Sequence, residues 1–254
     1  MLLAVDVGNT QTVLGLFQGD GLVEDWRLAT EGDRTGDEVA ALVARLLDLR
    51  DRGFEDVTGV VLSSTVPALV RAYSDFVEHY LEAPLLVLGP GTKTGIPILY
   101  DDPREVGPDR IANAVAARER YGTPCIVVDF GTSTNFDAVS AAGEYVGGVL
   151  APGIEVSMDA LFERAARLVK VDFVEPPTVI GKTTEAALRS GLVYGFAGQV
   201  DGIVKGMRGE LGDDARVVAT GGLADLIAPH SETIETIDPL LTLEGLRLVW
   251  ERNG

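Results

Sequence analysis

One motif occurs twice in this chain, and that repeat constrains the fold more than any other feature. Leu3-Ala4-Val5-Asp6-Val7-Gly8-Asn9-Thr10-Gln11 returns, at an offset of 123 residues, as Ile126-Val127-Val128-Asp129-Phe130-Gly131-Thr132-Ser133-Thr134. Asp6 falls on Asp129, Gly8 on Gly131 and Val5 on Val128, while Thr10 faces Ser133. Each copy is an apolar run ending in an acid, a glycine and hydroxyl residues, which reads as a buried strand entering a polar turn. A second apolar run follows each copy, Thr12 to Phe17 and Phe136 to Val139. Solenoid repeats have periods of roughly 20–50 residues. An offset near half of 254 residues instead points to a duplicated domain. The expected halves are 1–121 and 122–254, joined near Tyr121-Gly122-Thr123-Pro124.

Strand and helix patterns alternate along both halves, which predicts an α/β architecture. Beyond the first hairpin, Glu24 to Thr30 reads as a third strand. Asp37 to Leu49 has apolar residues at helical spacing behind an acidic first turn. Gly59 to Ser63 reads as a strand, Thr65 as the cap of a helix with Pro67 in its first turn, and Pro84 to Leu88 as a strand. Residues 89–107 are rich in Gly and Pro and read as a long loop, a kind of segment that is usually functional. Asp109 to Tyr121 is a helix. The second half continues with a strand at Tyr145 to Leu150, helices at Ile154 to Leu168 and Thr184 to about Leu211, and a strand at Arg216 to Ala219. The tail from Asp238 to Trp250 ends in a helix.

Composition excludes several classes. Hydrophobic residues at 46% argue against disorder. A formal charge of −18 argues against nucleic acid as the main partner, because phosphate binding needs clustered Lys and Arg. The lone Cys125 rules out an internal disulfide framework and sits in an apolar run as a buried thiol. No apolar run reaches the roughly 18 residues of a membrane helix, and the first residues lack the basic start of a signal peptide. The expected location is the cytoplasm, with no membrane partner.

An Asp at a strand end, followed by glycine and hydroxyls, suits a polyphosphate. Glycine lets phosphate approach the backbone, turn N–H groups and hydroxyls bind its oxygens, and the carboxylate holds a hydrated Mg²⁺. A single such turn is more often structural. Two copies in matched positions can clamp a nucleotide's phosphates in a cleft between the halves. Other motifs fail on inspection. Gly181-Lys182-Thr183 resembles the end of a P-loop, but Pro176 stands where its first glycine belongs. Gly89 to Gly95 lacks the third glycine of a dinucleotide fingerprint. His79 and His230 are far apart, so a zinc site is not expected.

In order and spacing, six segments carry a resemblance over essentially the whole chain. They are Asp6-Val7-Gly8-Asn9-Thr10, Gly107-Pro108-Asp109-Arg110, Asp129 to Thr134, Gly147 to Gly153, Gly181 to Thr184, and Thr220-Gly221-Gly222. The chain resembles the type III pantothenate kinases, within the superfamily of acetate and sugar kinases, chaperone ATPases and actin. The resemblance implies duplicated ribonuclease-H-like domains, a homodimer, and ATP-dependent phosphorylation of pantothenate, the first step toward coenzyme A.

It also implies residue roles. Asp6, Val7, Gly8, Asn9, Thr10, Gln11, Thr12 and Val13 match the first phosphate loop, with Asp6 facing Mg²⁺. Thr132 matches the ATP-contacting Thr of the second loop. Gly221 and Gly222 lie beneath the adenine. Asp129 matches a monovalent-cation ligand for K⁺ or NH₄⁺; capping of backbone N–H groups is its structural alternative. Asp109 matches the general base that takes the proton from pantothenate's hydroxyl, and helix capping is its alternative. Gly107, Pro108 and Arg110 complete the substrate motif, Arg110 with a donor fork suited to carboxylate or phosphate. Pro108 stands where relatives often have Ala. Tyr100 matches a pantothenate-binding Tyr or else joins the core. Thr184 matches a residue that reaches the partner subunit's substrate. Thr183, where relatives commonly have Asn, leaves open which hydroxyl makes that contact. Two other readings stand beside this one: another small-molecule kinase of the superfamily, and a non-catalytic nucleotide-binding regulator.

Overall fold

Runs of Val, Leu and Ile form the centre of two sheets, because branched side chains pack well on a pleated surface. The computed structural model describes residues 1–165 and 170–254. The chain forms two compact units: Met1–Ala116 with Leu241–Gly254, and Ala117–Leu240.

The first unit holds β1 (Leu2–Val7), β2 (Gln11–Gln18), β3 (Gly21–Ala29), β4 (Gly59–Ser64) and β5 (Leu85–Val87), in the order β3-β2-β1-β4-β5. The first three strands form an antiparallel meander, and β4 and β5 run parallel to β1. Helices α1 (Gly36–Asp48) and α2 (Pro67–Tyr80) make the crossovers that parallel strands need. Leu3, Val5 and Val7 of β1, with Val60 and Leu62 of β4, pack against Val39, Val43, Leu47, Phe76 and Val77 of these helices. Alternate residues, Asp6 and Ser63 among them, therefore point to the opposite face of the sheet. Helix α1 starts in a reciprocal capping box. The Glu38 N–H donates to Thr35 Oγ1 at 3.3 Å, and the Thr35 N–H donates to the Glu38 carboxylate at 2.8 Å. Such a cap stabilises by about 1 kcal/mol. Thr65 does not cap α2 as expected. Its hydroxyl donates to the Val7 carbonyl at 3.2 Å, and Ser64 Oγ instead accepts the Val66 N–H. Helix α3 (Pro108–Tyr121) then runs from the first unit into the second.

The second unit repeats the first sheet's plan. It holds β6 (Cys125–Phe130), β7 (Ser133–Val139), β8 (Tyr145–Pro152), β9 (Arg216–Thr220) and β10 (Thr236–Ile237), in the order β10-β9-β6-β7-β8. Directions match strand for strand. Ile126, Val128, Phe136, Val217 and Ala219 pack against α4 (Ile154–Arg164), α5 (Thr184–Leu211) and α6 (Ala224–Ile227). The expected helix from 154 to 168 ends at Arg164, and residues 166–168 lie outside the described residues. The short β10 and α6 carry too few residues to leave a periodic signal.

The expected second half ended at residue 254. Helix α7 (Leu241–Asn253) instead packs on β1, β2 and β4 of the first unit. Its Leu243 and Leu246 are buried, and Thr242 donates to Asn113 Oδ1 of α3 at 2.7 Å. No described helix is long and apolar enough to cross a membrane.

Candidate active site

The first turn lies at the carboxyl end of β1, where open α/β sheets hold their ligands. Asp6 pairs in register with Val13 of β2 and Ser63 of β4. The Gly8 N–H donates to the Gln11 carbonyl at 3.0 Å and closes the turn. Thr30 braces it. Its hydroxyl donates to the Gly8 carbonyl at 2.8 Å and lies 2.9 Å from Thr12 Oγ1, while its N–H donates to the Thr10 carbonyl. Asn9, Thr10 and Gln11 are exposed at the tip, whereas Val7 and Thr12 are buried and Val13 is partly buried. The buried members of this segment hold the turn, and the exposed tip is the part that meets solvent.

The second turn is one residue shorter. Val7 pairs with Thr12 across the first, and Phe130 with Thr134 across the second. The Gly131 N–H donates to the Ser133 carbonyl at 3.1 Å, and Ser133 Oγ donates to Asn135 Oδ1 at 2.6 Å. Thr132 is exposed. Asp129 pairs with Asn135 of β7 and Thr220 of β9. Gly221 follows with φ +93°, a conformation that side-chain-bearing residues rarely adopt. A Cβ there would lie 2.6 Å from Asp129 Oδ1 and from the Phe130 backbone. Glycine at 221 is thus required by the packing of β9 on β6, apart from any room it leaves for a base. Gly222 is exposed.

Helix α3 begins with Pro108, whose missing N–H costs nothing in a first turn. Asp109 is the second helical residue and not the cap. Its Oδ1 accepts the Arg110 N–H at 2.9 Å and lies over Gly107, where a Cβ would come within 2.4 Å of it. Gly107 therefore leaves room for the carboxylate to fold back on the helix start. Burial pushes the Asp109 carboxyl above its ordinary value, and the Arg110 N–H and guanidinium pull partly against that shift. Arg110 is buried at 6% exposure, which excludes a helix-surface role. Tyr100 is partly buried within the long loop.

Asp6, Tyr100 and residues 107–110 belong to the first unit. Asp129, Thr132, Thr184, Gly221 and Gly222 belong to the second. At the start of α5, Thr183 is the cap: its hydroxyl accepts the Ala186 N–H at 3.1 Å. Thr184 is exposed in the first turn. The apparent P-loop ending at residue 183 is thus a helix start. Ser63 and Thr220 escaped the sequence reading. They stand in matched places beside the two aspartates, and a strand-by-strand alignment of β4 with β9 would have found them.

Among the described residues, no group of three or more His, Cys, Asp or Glu could hold a metal ion. A single hard carboxylate per turn suits Mg²⁺ that keeps most of its waters and binds substrate phosphates. The carboxylate of Asp129 suits a monovalent cation that accepts oxygen ligands. Beside Asp6 the buried hydroxyl oxygen of Ser63 has no hydrogen-bond partner among the described residues, so a polar atom is in reserve there.

The chain is similar to known proteins over its full length. A sequence model of the family described as Type III pantothenate kinase matches residues 2–206. A Type III pantothenate kinase of Acidothermus cellulolyticus is 55% identical over 254 residues, covering 100% of this chain and 99% of the relative. One of Moorella thermoacetica is 52% identical over 253 residues, covering 100% of both. Among solved structures, component A of (R)-2-hydroxyglutaryl-CoA dehydratase from Acidaminococcus fermentans superposes with a TM-score of 0.58 at 15% identity, covering 98% of this chain and 95% of its own. That likeness bears on the fold alone and agrees with duplicated ribonuclease-H-like domains. The chain belongs to the type III pantothenate kinase family.

Proposed function

We propose that this chain transfers the γ-phosphoryl group of ATP to the primary hydroxyl of pantothenate, giving 4′-phosphopantothenate at the head of coenzyme A synthesis. The observation that carries the mechanism is Asp109. It is a partly buried carboxylate on a helix start, held by the Arg110 N–H and made more basic by burial. A stronger carboxylate base is better matched to taking a proton near neutral pH. Asp109 takes the hydroxyl proton as that oxygen attacks the γ-phosphorus, and ADP leaves. Arg110 and Tyr100 orient pantothenate. The turn at residues 6–13 and Thr132 bind the phosphates, and Gly221 and Gly222 border the base. Bound Mg²⁺ at Asp6 and K⁺ or NH₄⁺ at Asp129 supply positive charge against the polyphosphate, which a chain of net charge −18 otherwise repels. Phosphoryl transfer needs mainly such positioning and charge neutralisation.

The acting form is a homodimer. Edge strand β8 and the segment before α5 expose large apolar side chains: Leu150 at 62%, Val179 at 60% and Ile180 at 80%. A partner subunit would take these side chains out of water. Thr184, exposed while Thr183 is engaged as a cap, is the hydroxyl that reaches the partner's pantothenate. The enzyme works in the cytoplasm, without nucleic acid or membrane.

ADP release with ATP and Mg²⁺ tests the reading, with and without pantothenate and with K⁺ or Na⁺. Turnover should require pantothenate and K⁺ and fall about 10²- to 10⁴-fold in Asp109→Asn. A wild type that binds ATP and never turns over pantothenate refutes the substrate assignment. A monomer at micromolar concentration by light scattering refutes the dimer.

A further inference from the structure

Ser63 lies at the carboxyl end of β4, paired in register with Asp6 across adjacent parallel strands. Paired residues point to the same face, and neighbouring strands are about 4.8 Å apart. Both side chains therefore project to the face that carries α7, away from the helices α1 and α2. Ser63 is 0% exposed, and its Oγ has no hydrogen-bond partner among the described residues. A buried hydroxyl left unsatisfied costs about 1–3 kcal/mol. Leu62, its neighbour, packs in the core, so an alanine at 63 would be the cheaper residue for the fold. The second unit repeats the arrangement: Thr220, buried at 2% exposure, pairs with Asp129. A hydroxyl beside the strand-end aspartate in both copies is hard to explain by packing.

We infer that Ser63 is a positioning residue for the metal–phosphate side of the reaction. The inference rests on the kinase reading above. A hydroxyl has one donor and two acceptor sites. In the loaded enzyme Ser63 Oγ accepts a hydrogen bond from a magnesium-bound water and donates its own proton to the Asp6 carboxylate. The hydroxyl thus fixes the orientation of Asp6 and anchors one water of the hydrated ion. In the ligand-free structure neither Ser63 Oγ nor the neighbouring Asp6 Oδ1 has a hydrogen-bond partner among the described residues, and the bond between them forms when the hydrated ion draws the two together.

The test separates this role from a structural one. Ser63→Ala should raise the Mg²⁺ concentration for half-activation about three- to tenfold, the equivalent of one ordinary hydrogen bond. Mn²⁺ binding to the enzyme–ATP complex, followed by electron paramagnetic resonance, should weaken by the same factor. The KM for pantothenate should hold. Without ligands, the thermal midpoint of Ser63→Ala should equal or exceed that of the wild type, because an unsatisfied group has been removed. Ser63→Thr and Ser63→Val form a second pair of nearly equal shape that differ in the hydroxyl; the metal readouts should favour Thr. Equal Mn²⁺ affinity across hydroxyl-bearing and hydroxyl-free variants overturns the inference, as does a lowered ligand-free midpoint in Ser63→Ala. If the wild type binds Mn²⁺–ATP without phosphorylating pantothenate, the substrate assignment falls, while the Mn²⁺ comparison still decides the role of Ser63.

Discussion

In the first unit, four residues separate the paired ends Val7 and Thr12, and the hydroxyls of Thr12 and Thr30 close the turn from the side. In the second, three residues separate Phe130 and Thr134, and the neighbouring strand closes in through Gly221, where a Cβ would lie 2.6 Å from Asp129 Oδ1 and the Phe130 backbone. The sheets around them have the same order and directions. One turn is therefore held by side chains and the other by close backbone packing. The duplicated frame fixed where the two aspartates stand, and the two copies then diverged in how the turn beside each is held.

The glycines give the sharpest way to break that comparison. Gly221→Ala should cost about 3 kcal/mol or more, since it combines a positive φ with backbone contacts at 2.6 Å. Chemical denaturation would read this as an early loss of the second unit. Gly8→Ala meets only the Gln11 carbonyl, at 3.0 Å, and should cost about 1 kcal/mol or less. Its effect should appear as weaker ATP binding by calorimetry if, as proposed, phosphate approaches the backbone at this glycine. If both variants lose the same stability, the turns are held in the same way and the contrast fails.

Two partly or fully buried carboxylates sharpen it next. Asp201 is desolvated, but Ser231 Oγ, the Glu232 and Thr233 N–H groups and Thr233 Oγ1 all donate to it, and its carboxyl is held below the ordinary 3.8. It stabilises the fold above its unfolded pKa, and that contribution is lost as pH falls through the lowered folded value. Asp201→Asn should therefore cost about 2–3 kcal/mol at pH 7 and less in acid. Asp109 has the opposite sign. Its folded pKa is raised above 3.8, so the fold is penalised as pH rises from the unfolded value through the folded one. Asp109→Asn should be more stable than the wild type at pH 7, a gain that vanishes at acid pH, while losing activity. Thermal melts of both variants across pH 3–8 check the two signs. A destabilised Asp109→Asn would make that carboxylate a structural support of the helix start.

The smallest effects come from the turn braces. Thr30→Val leaves the Gly8 carbonyl and Thr12 hydroxyl without their partner and should cost about 1 kcal/mol. Ser133→Ala removes a partly buried hydroxyl that donates to Asn135 and should cost about 0.5 kcal/mol. Urea midpoints at constant slope would rank them. The reverse ranking would mean that the second turn, too, depends on its side chains.

Much of this was legible in the sequence. The repeat gave both aspartates and their turns, since a strand and its turn are local and leave a pattern of apolar run, acid and glycine. The long loop and the Gly107 to Arg110 start of α3 were legible for the same reason. The partners across strands were not. Ser63 sits beside Asp6 through a parallel pairing whose register no local pattern encodes. Thr65 looked like a cap because a hydroxyl precedes Pro67, yet the nearer acceptor was the Val7 carbonyl on a neighbouring strand. The tail looked like the end of the second half because chain order is all that periodicity reveals. Its docking on the first sheet depends on side chains more than a hundred residues away.

That return of α7 bears on how the protein is made. The ribosome delivers residues 1–116 before the second unit, but the helix that covers their sheet only after it. The second unit, Ala117–Leu240, is contiguous and complete before α7 emerges. Domains generally fold as units during synthesis. The later-made unit should thus reach its final form first, while the Asp6–Ser63 face of the earlier one waits, uncovered, for the tail. A nascent chain stalled just short of residue 241 should show a protease-resistant second unit beside a first unit that is still cut.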